Sequence, residues 1–499
     1  MDAASVGASS IKTVNSLSIS TIPKITSPTT LTPPWLSTKP SMLTLYATSS
    51  NLRNSVPYLT RCSTKPDTNT DNEIDQNSAF EPNSNPKTSK SSAPVSNEAL
   101  SSSLSTSSSS SSSGLVFGLG PTNSWDGAEI GSPVVKRFLS DEEERWYMWY
   151  HGRSKGNPGS EAIGLAVSRN GIHWERGGGP TRPSGEAGLA MNCSTDWWAF
   201  DTESIRPCEV VVMSSAKVRA ASAVYWLYYT GCSSEKAEIS EDSLKFSLEN
   251  PERFCIDEVN GENGGVGKIS KSLPGLAISQ DGRHWARIEA EHHSGALFDV
   301  GSEREWDSSF IASPQVVFHV SGDLRMYYHS FDAENGEFGI GIARSRDGIR
   351  WVKLGKIMGG GGRGCFDEFG VMNARAVRNQ KDGNYVMAYE GIAADGRRSI
   401  GLAVSSDGLK NWRRFHDEAA LAPSAKDGWD NEGVGSPCLV QMDRDSDGWR
   451  LYYKGAGNGG RTGIGMAVSE GSDIRSFRRW TGFNYKKGLK ANHKRKGTP

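Results

Sequence analysis

The sequence predicts an all-β fold, a five-bladed β-propeller of four-stranded antiparallel blades preceded by a disordered N-terminal region. Two observations carry most of that prediction. A hairpin phrase that alternates apolar and small residues, turns at Asp-Gly or Asn-Gly and resumes toward an aromatic occurs four times, and a degenerate version makes a fifth copy. Each copy follows two further strand-like runs. The recurring unit is therefore four short strands separated by turn residues, which is the make-up of a propeller blade.

The cleanest hairpin spans residues 339–351, breaking at Asp347-Gly348 and ending on Trp351. Glycine there supplies the positive φ that a tight hairpin turn requires. Its counterparts turn at Asn170-Gly171 before Trp174, at Asp281-Gly282 before Trp285 and at Asp407-Gly408 before Trp412. A degenerate copy runs from Ile464 to Phe477. Ahead of 339–351 stand a strand over 313–320, a turn over 321–323 and a second strand over 324–329. The same order gives Ser132-Pro133 then 145–151, Arg206-Pro207 then 224–230, Asn373-Ala374 then 385–390, and Ser436-Pro437 then 449–454. Ser345, Ser405 and Ser469 fall about 60 residues apart, a longer period than WD40 or kelch repeats have. An insert over 232–272 stretches the second copy, and long inserts sit on one face of a repeat array. The five copies fill 115–482, where 115–119 offers one more strand to latch the ring.

Residues 1–62 read as a plastid transit peptide. Asp2 is the only acid before residue 66, in a background of Ser, Thr and Pro with scattered bases, and Arg61-Cys62-Ser63 resembles a plastid cleavage context. That predicts residence in the chloroplast stroma after removal of the segment. Residues 63–114, ending in a serine tract, hold too few apolar residues to offset the entropy of ordering and are expected to be a disordered linker. Residues 483–499 form a basic tail.

Across the chain 56 basic residues face 57 acidic ones, so bulk charge points to neither nucleic acid nor a membrane surface. No apolar run approaches the roughly 20 residues of a membrane helix, which predicts a soluble protein with no membrane span. The seven cysteines form no Cys-x-x-Cys pair, so reduced structural thiols are expected, with a Cys232–Cys255 pairing inside the insert left open. No metal or cofactor is expected.

The first strands of a propeller line its axis, so side chains there converge from every blade. Positions alike in all copies are explained by the fold, and positions that differ are free of that constraint. The residue closing the second strand is His151, Thr230, His329, Glu390 or Lys454. The lead-in to the first strand is acidic but variable, offering Glu129, Asp201, Glu203 and Asp307 among others, and Arg206 and Arg375 stand where other copies have Ser132, Ser313 and Ser436 or their proline. Glu129, Asp201 and Glu203 are therefore the candidate catalytic carboxylates, because paired carboxylates cleave glycosidic bonds. Arg206, His151, His329, Arg375, Glu390, Lys454 and Asp307 are the candidate substrate-binding residues for a polyol or anion. The Asp of the recurring aromatic-Asp pairs (126, 201, 307, 367 and 430) also reads as a turn-capping residue.

The Ser-Pro first strand, the Tyr-Tyr second strand and the Gly-(Ile/Leu)-(Gly/Ala)-x-Ser-x-Asp-Gly-x-x-Trp hairpin resemble the arabinanase, levansucrase and invertase superfamily over about 125–481. The resemblance implies a five-bladed propeller of glycoside hydrolase type. It departs where the superfamily places acids: Ser132 precedes Pro133, Arg206 precedes Pro207, and Ala312 and Ser313 precede Pro314. Two readings follow. One is a plastid protein that binds a carbohydrate or small anionic sugar, with hydrolysis only if displaced acids supply it. The other is a non-catalytic propeller that docks a protein partner.

Overall fold

The computed structural model describes residues 113–482 apart from 140–143, 158, 178–183, 214–223, 241–253, 257–265, 321, 443–447 and 471–472. The expected transit segment, nearly all of the linker, the basic tail and two stretches of the insert lie outside the described residues. Within them the chain is strand and turn, with one short 3-10 turn at Ser184–Glu186 as the only helix. The all-β expectation holds.

Antiparallel meanders follow one another along the chain. The first contains Glu129–Leu139, Glu144–Arg153, Glu161–Ser168 and Glu175–Arg176. The second contains Ser204–Met213, Val224–Ser240, Val266–Ser279 and Ala286–Ile288. The third runs through Ala312–Val320, Asp323–Asp332, Glu337–Ser345 and Val352–Met358. The fourth has Val371–Arg378, Tyr385–Ile392, Arg398–Ser405 and Arg413–Arg414. The last has Gly433–Gln441, Trp449–Gly457, Arg461–Glu470 and Asp473–Arg479. The first strand of each meander lies beside the first strand of the next, and that of the last lies beside that of the first. Leu115–Phe117 pairs with the third strand of the last meander, Leu115 opposite Gly465, so the beginning of the described chain is sewn into its end.

The recurring hairpins explain how neighbouring meanders hold together. Gly348 takes a φ of 80°, and its N–H donates to Ser345 Oγ at 2.8 Å, while Asp347 Oδ1 accepts the next two amides at 2.9 Å. Gly171, Gly282 and Gly408 repeat this geometry. Each turn is pinned to the meander before it. Tyr228 OH donates to Gly348 O, Trp149 Nε1 to Gly282 O, Tyr327 OH to Gly408 O and Tyr452 OH to Gly171 O. The hairpin tryptophans pack edge-on against these same aromatics, with ring centroids 5.8–6.3 Å apart. The Tyr452–Gly171 stitch joins the last meander to the first.

A second device repeats inside each meander. Asp126, Asp201, Asp307, Asp367 and Asp430 are buried, and each accepts the hydroxyl of a second-strand tyrosine at 2.9–3.0 Å. A fourth-strand cation completes every set: Arg176, Arg287, Arg414 and Arg479 at 2.7–2.8 Å, and Lys353 at 3.0 Å. The aromatic preceding each Asp lies over the same tyrosine, for example Phe200 on Tyr229 at 5.7 Å and Trp306 on Tyr328 at 5.7 Å. These five triads account for the aromatic-Asp pairs.

The insert lengthens the second meander's hairpin, whose strands run on to Ser240 and resume at Val266. Its buried Ile269 packs on Phe310, Phe331, Phe338, Met372 and Ile392. The Cys232–Cys255 pairing left open in the sequence reading involves Cys255, whose side chain lies outside the described residues.

Candidate functional site

First-strand geometry sets up the axis. Ser132, Ser313, Asn373 and Ser436 have φ of 46–53°, each at a bulge where two first-strand residues oppose one of the second strand. A non-glycine residue in this left-handed region costs on the order of 1–2 kcal/mol. In the second meander Pro207 holds that position and cannot take positive φ. The cause is a deletion: Pro207 follows Asp201 by six residues, whereas Pro133 follows Asp126 by seven. Arg206 therefore pairs with Thr230 as Gly131 pairs with His151, Ala312 with His329, Met372 with Glu390 and Gly435 with Lys454. This corrects the sequence placement of both arginines. Arg206 ranks with the small residues before the serine, and Arg375 ranks with Val134, Glu209, Gln315 and Cys438.

At the bulges the axis is narrow. Ser132, Ser313, Asn373 and Ser436 surround a cavity of about 20 Å³, room for roughly one water and too little for a sugar ring. Ser313 Oγ donates to Asn373 Oδ1 at 2.5 Å, and Glu390 accepts Asn373 Nδ2 and the Ser436 amide at 2.8 Å each. On one side of this collar Glu209 binds Lys136 at 2.5 Å and Arg375 at 3.1 Å.

The other side, at the beginnings of the first strands, holds the densest charge cluster. Glu129 Oε1 accepts Lys454 Nζ at 2.9 Å, and Glu129 Oε2 accepts Arg153. Glu161, fully buried, receives Arg206 through Nε at 2.7 Å and Nη2 at 3.1 Å. His151 is fully buried between the two carboxylates, its Nε2 3.7 Å from Glu129 Oε1, and neither ring nitrogen has a hydrogen-bond partner among the described residues. Burial alone would raise both carboxyls, but Lys454 holds Glu129 well below the ordinary carboxylate range and Arg206 does the same for Glu161. Burial and the charge of Arg206 push His151 down, leaving a neutral imidazole near pH 7. Among the described residues, Glu129 thus meets Lys454 and Arg153, and Glu161 meets Arg206.

Of the sequence-predicted residues, Glu129, His151, Arg206 and Lys454 come together here, and His329, Glu390 and Arg375 lie along the same axis. His329 Nδ1 accepts the Asn373 amide at 3.3 Å. Asp201 and Asp307 do not join them, because the tyrosines and cations of the triads occupy their carboxylates. Glu203 is half-buried at the lead-in to the second meander, its backbone N–H donating to Cys232 O at 2.9 Å, and joins none of these ion pairs. Sequence reasoning missed Glu161, Arg153 and Glu209. The beginnings of the third strands would have revealed Glu161, since the residues at the same rank in the other meanders are Ser272, Phe338, Arg398 and Thr462.

The trio Glu129, His151 and Glu161 places three ligand-type atoms within 4.8 Å of one another. Each carboxylate in it already holds a cation, so a divalent ion would have to compete with Lys454, Arg153 and Arg206 for the same oxygens. The donor set fits an anion better than a metal.

No protein-family profile matches the chain. Two uncharacterized proteins of Mycobacterium tuberculosis are 30% identical to it over 216 and 213 residues. The match covers 40% of this chain and 62% of theirs. Among solved structures, a glycoside hydrolase gives a TM-score of 0.47 at 16% identity, covering 74% of this chain and 96% of that one. A glycosyl hydrolase from Bacteroides ovatus gives 0.43 at 15%, covering 71% and 87%. A thermostable family-43 glycoside hydrolase gives 0.44 at 15%, covering 71% and 96%.

Proposed function

We propose that the five meanders are the blades of a five-bladed propeller whose axial charge cluster binds an anionic sugar, such as a sugar phosphate, without cleaving glycosidic bonds by a carboxylate pair. One observation carries this reading: both buried carboxylates at the cluster are held ionised by cations. A glycosidase needs one carboxyl kept protonated to donate to the leaving oxygen. Neither Glu129 nor Glu161 meets that need, since Lys454 and Arg206 pull each pKa down. Three cations, Arg153, Arg206 and Lys454, gather at this cluster and suit a ligand that brings negative charge, and Arg153, the most exposed of them at 29%, is the one such a ligand meets first.

Calorimetric titration of the full chain with monosaccharides and their phosphates tests this directly. The phosphates bind and the neutral parents bind at least about tenfold more weakly. Lys454→Met weakens phosphate binding, and aryl glycosides are not turned over. Equal affinity for neutral and phosphorylated sugars, or turnover that disappears in Glu129→Gln, would overturn the reading. Absence of any sugar binding, with capture of a protein partner through the axial face, would favour the docking alternative.

Plastid residence belongs to the same proposal and rests on the acid-poor, Ser/Thr-rich composition of residues 1–62. A fusion of residues 1–65 to a fluorescent protein accumulates in plastids on this reading, and cytosolic fluorescence removes it.

A further inference from the structure

Among the described residues, tryptophan is a buried or half-buried residue with two exceptions, Trp197 and Trp198, which are 91% and 38% exposed. The other described tryptophans serve the core, and this pair stands apart. The loop that carries it is well fixed. Ser194 N donates to Asp201 O at 3.0 Å, Ala199 N to Asp196 O at 2.9 Å, and Arg287 Nη2 to Asn192 O at 2.6 Å. Trp198 rests against Gly295. A fixed loop presenting a bare indole gains nothing in folding from that ring.

The loop also borders the axial cluster. Cys193 Sγ donates to the backbone oxygen of Glu161 at 3.1 Å, and Trp197 follows four residues later, so it lies within about 14 Å of that contact. It leads into Ser204–Met213, at the same end of the first strands as Glu129 and Arg206. The size of the patch selects its occupant. One indole and part of another offer at most a few hundred Å², well short of the roughly 800 Å² per partner that a stable protein interface needs. Among the described residues the other exposed large apolar side chains lie on other elements, Leu115 on the strand paired with the last meander and Phe318, Val320, Val352 and Leu354 on strands of the third. The surrounding loop residues Asn192, Thr195 and Asp196 are polar.

We infer that Trp197 is a stacking platform for the C–H face of a sugar ring, one or two residues removed from the unit held at the axial cluster, so that the preferred ligand is an oligosaccharide with an anionic end. This inference rests on the carbohydrate reading proposed above and adds a ligand length to it. Trp198 braces the platform against the Gly295 loop.

The test compares full-length chain and Trp197→Ala on an array of neutral and phosphorylated oligosaccharides, alongside calorimetry with monosaccharide phosphates. The expected result is a loss of about tenfold or more in oligosaccharide affinity, with monosaccharide phosphate affinity unchanged. Trp197→Tyr, which keeps an aromatic face, restores most of the loss. A blue shift of tryptophan emission on oligosaccharide binding accompanies it in the parent and is absent in Trp197→Ala. The inference fails if the parent binds no oligosaccharide, or if Trp197→Ala binds every retained oligosaccharide as the parent does. In either case retained monosaccharide phosphate binding leaves the axial site standing, whereas loss of all sugar binding in the parent removes both.

Discussion

Two sets of buried carboxylates in this chain use the same chemistry to opposite ends. In the triads, Asp126, Asp201, Asp307, Asp367 and Asp430 each meet one tyrosine hydroxyl and one cation, in near-identical geometry in every meander. Around the axis, Glu129, Glu161, Glu209 and Glu390 are also paired with cations, but no two share the same partners or the same strand position. Repetition marks the first set as the frame. A feature the fold needs is needed in every meander, and only a feature the fold does not need is free to occur once. Burial and an ion pair therefore do not by themselves identify a functional acid, and asymmetry among repeats marks only where a function is free to reside.

The sharpest way to break this comparison is to treat Asp201 as catalytic. Asp201→Ala strands Tyr229 OH and Arg287, and removing one partner of a buried pair costs about 3–5 kcal/mol. Urea unfolding should show that loss, and an equivalent one for Asp367→Ala, whose tyrosine and arginine sit at 3.0 and 2.7 Å. Monosaccharide phosphate affinity per folded molecule, which does not depend on the Trp197 loop, stays unchanged in both. A variant of Asp201 that folds normally but loses binding would return it to the site.

A smaller effect separates the axial set by pH. Glu129 has a depressed folded pKa, so its contribution is present above the unfolded carboxylate pKa of about 4.3 and is lost as pH falls through the folded value. Lys454→Met removes the strongest of the charges that hold it down, and the folded pKa rises. The acid-unfolding midpoint, followed by tryptophan emission, should move to higher pH, and stability at pH 7 should fall by about 2 kcal/mol because Arg153 remains as a partner. An unchanged midpoint would mean that Glu129 and Lys454 are not an ionised pair in the folded chain.

Much of the frame was readable because each element was written several times. Gly171, Gly282, Gly348 and Gly408 announce their turns, and the aromatic-Asp pairs announce the triads even though the tyrosine and arginine that complete them come from other strands. The site was only half readable. His151, Glu390 and Lys454 stand out because the second strands disagree there, whereas Glu161 lies at the start of a third strand, among residues that otherwise serve the hairpin. Arg206 was placed one rank too far along, since aligning copies on their proline hides a deletion that only pairing with Thr230 reveals. Nothing local in Asp201 separates it from Glu129, because what distinguishes them is the Arg287 of another strand.

The finest contrast lies within the frame itself. Three hairpins place Asp at the turn, and the first places Asn170, whose Oδ1 accepts Ile172 N at 2.9 Å and His173 N at 3.0 Å. Asp281, Asp347 and Asp407 make the same bonds and have lowered pKa values: burial opposes ionisation of the first two, and for Asp407 the Leu409 amide is the leading cause. Charge thus helps hold these turns. Asp281 also sits 2.7 Å from His284, and His173 holds the corresponding position after Asn170. Asn170→Asp should therefore stabilise the chain, though by no more than about 0.5 kcal/mol, since such turns are solvent-exposed and screened. The gain is present above pH ~4 and disappears as pH falls through the lowered folded pKa. It should be insensitive to sugar, because the turn is pinned to Tyr452 and Arg450 of the last meander and not to the axial cluster. Paired urea curves at pH 7 and pH 3 read both features, and a gain that survives at pH 3 would show that the carboxylate charge is not its source.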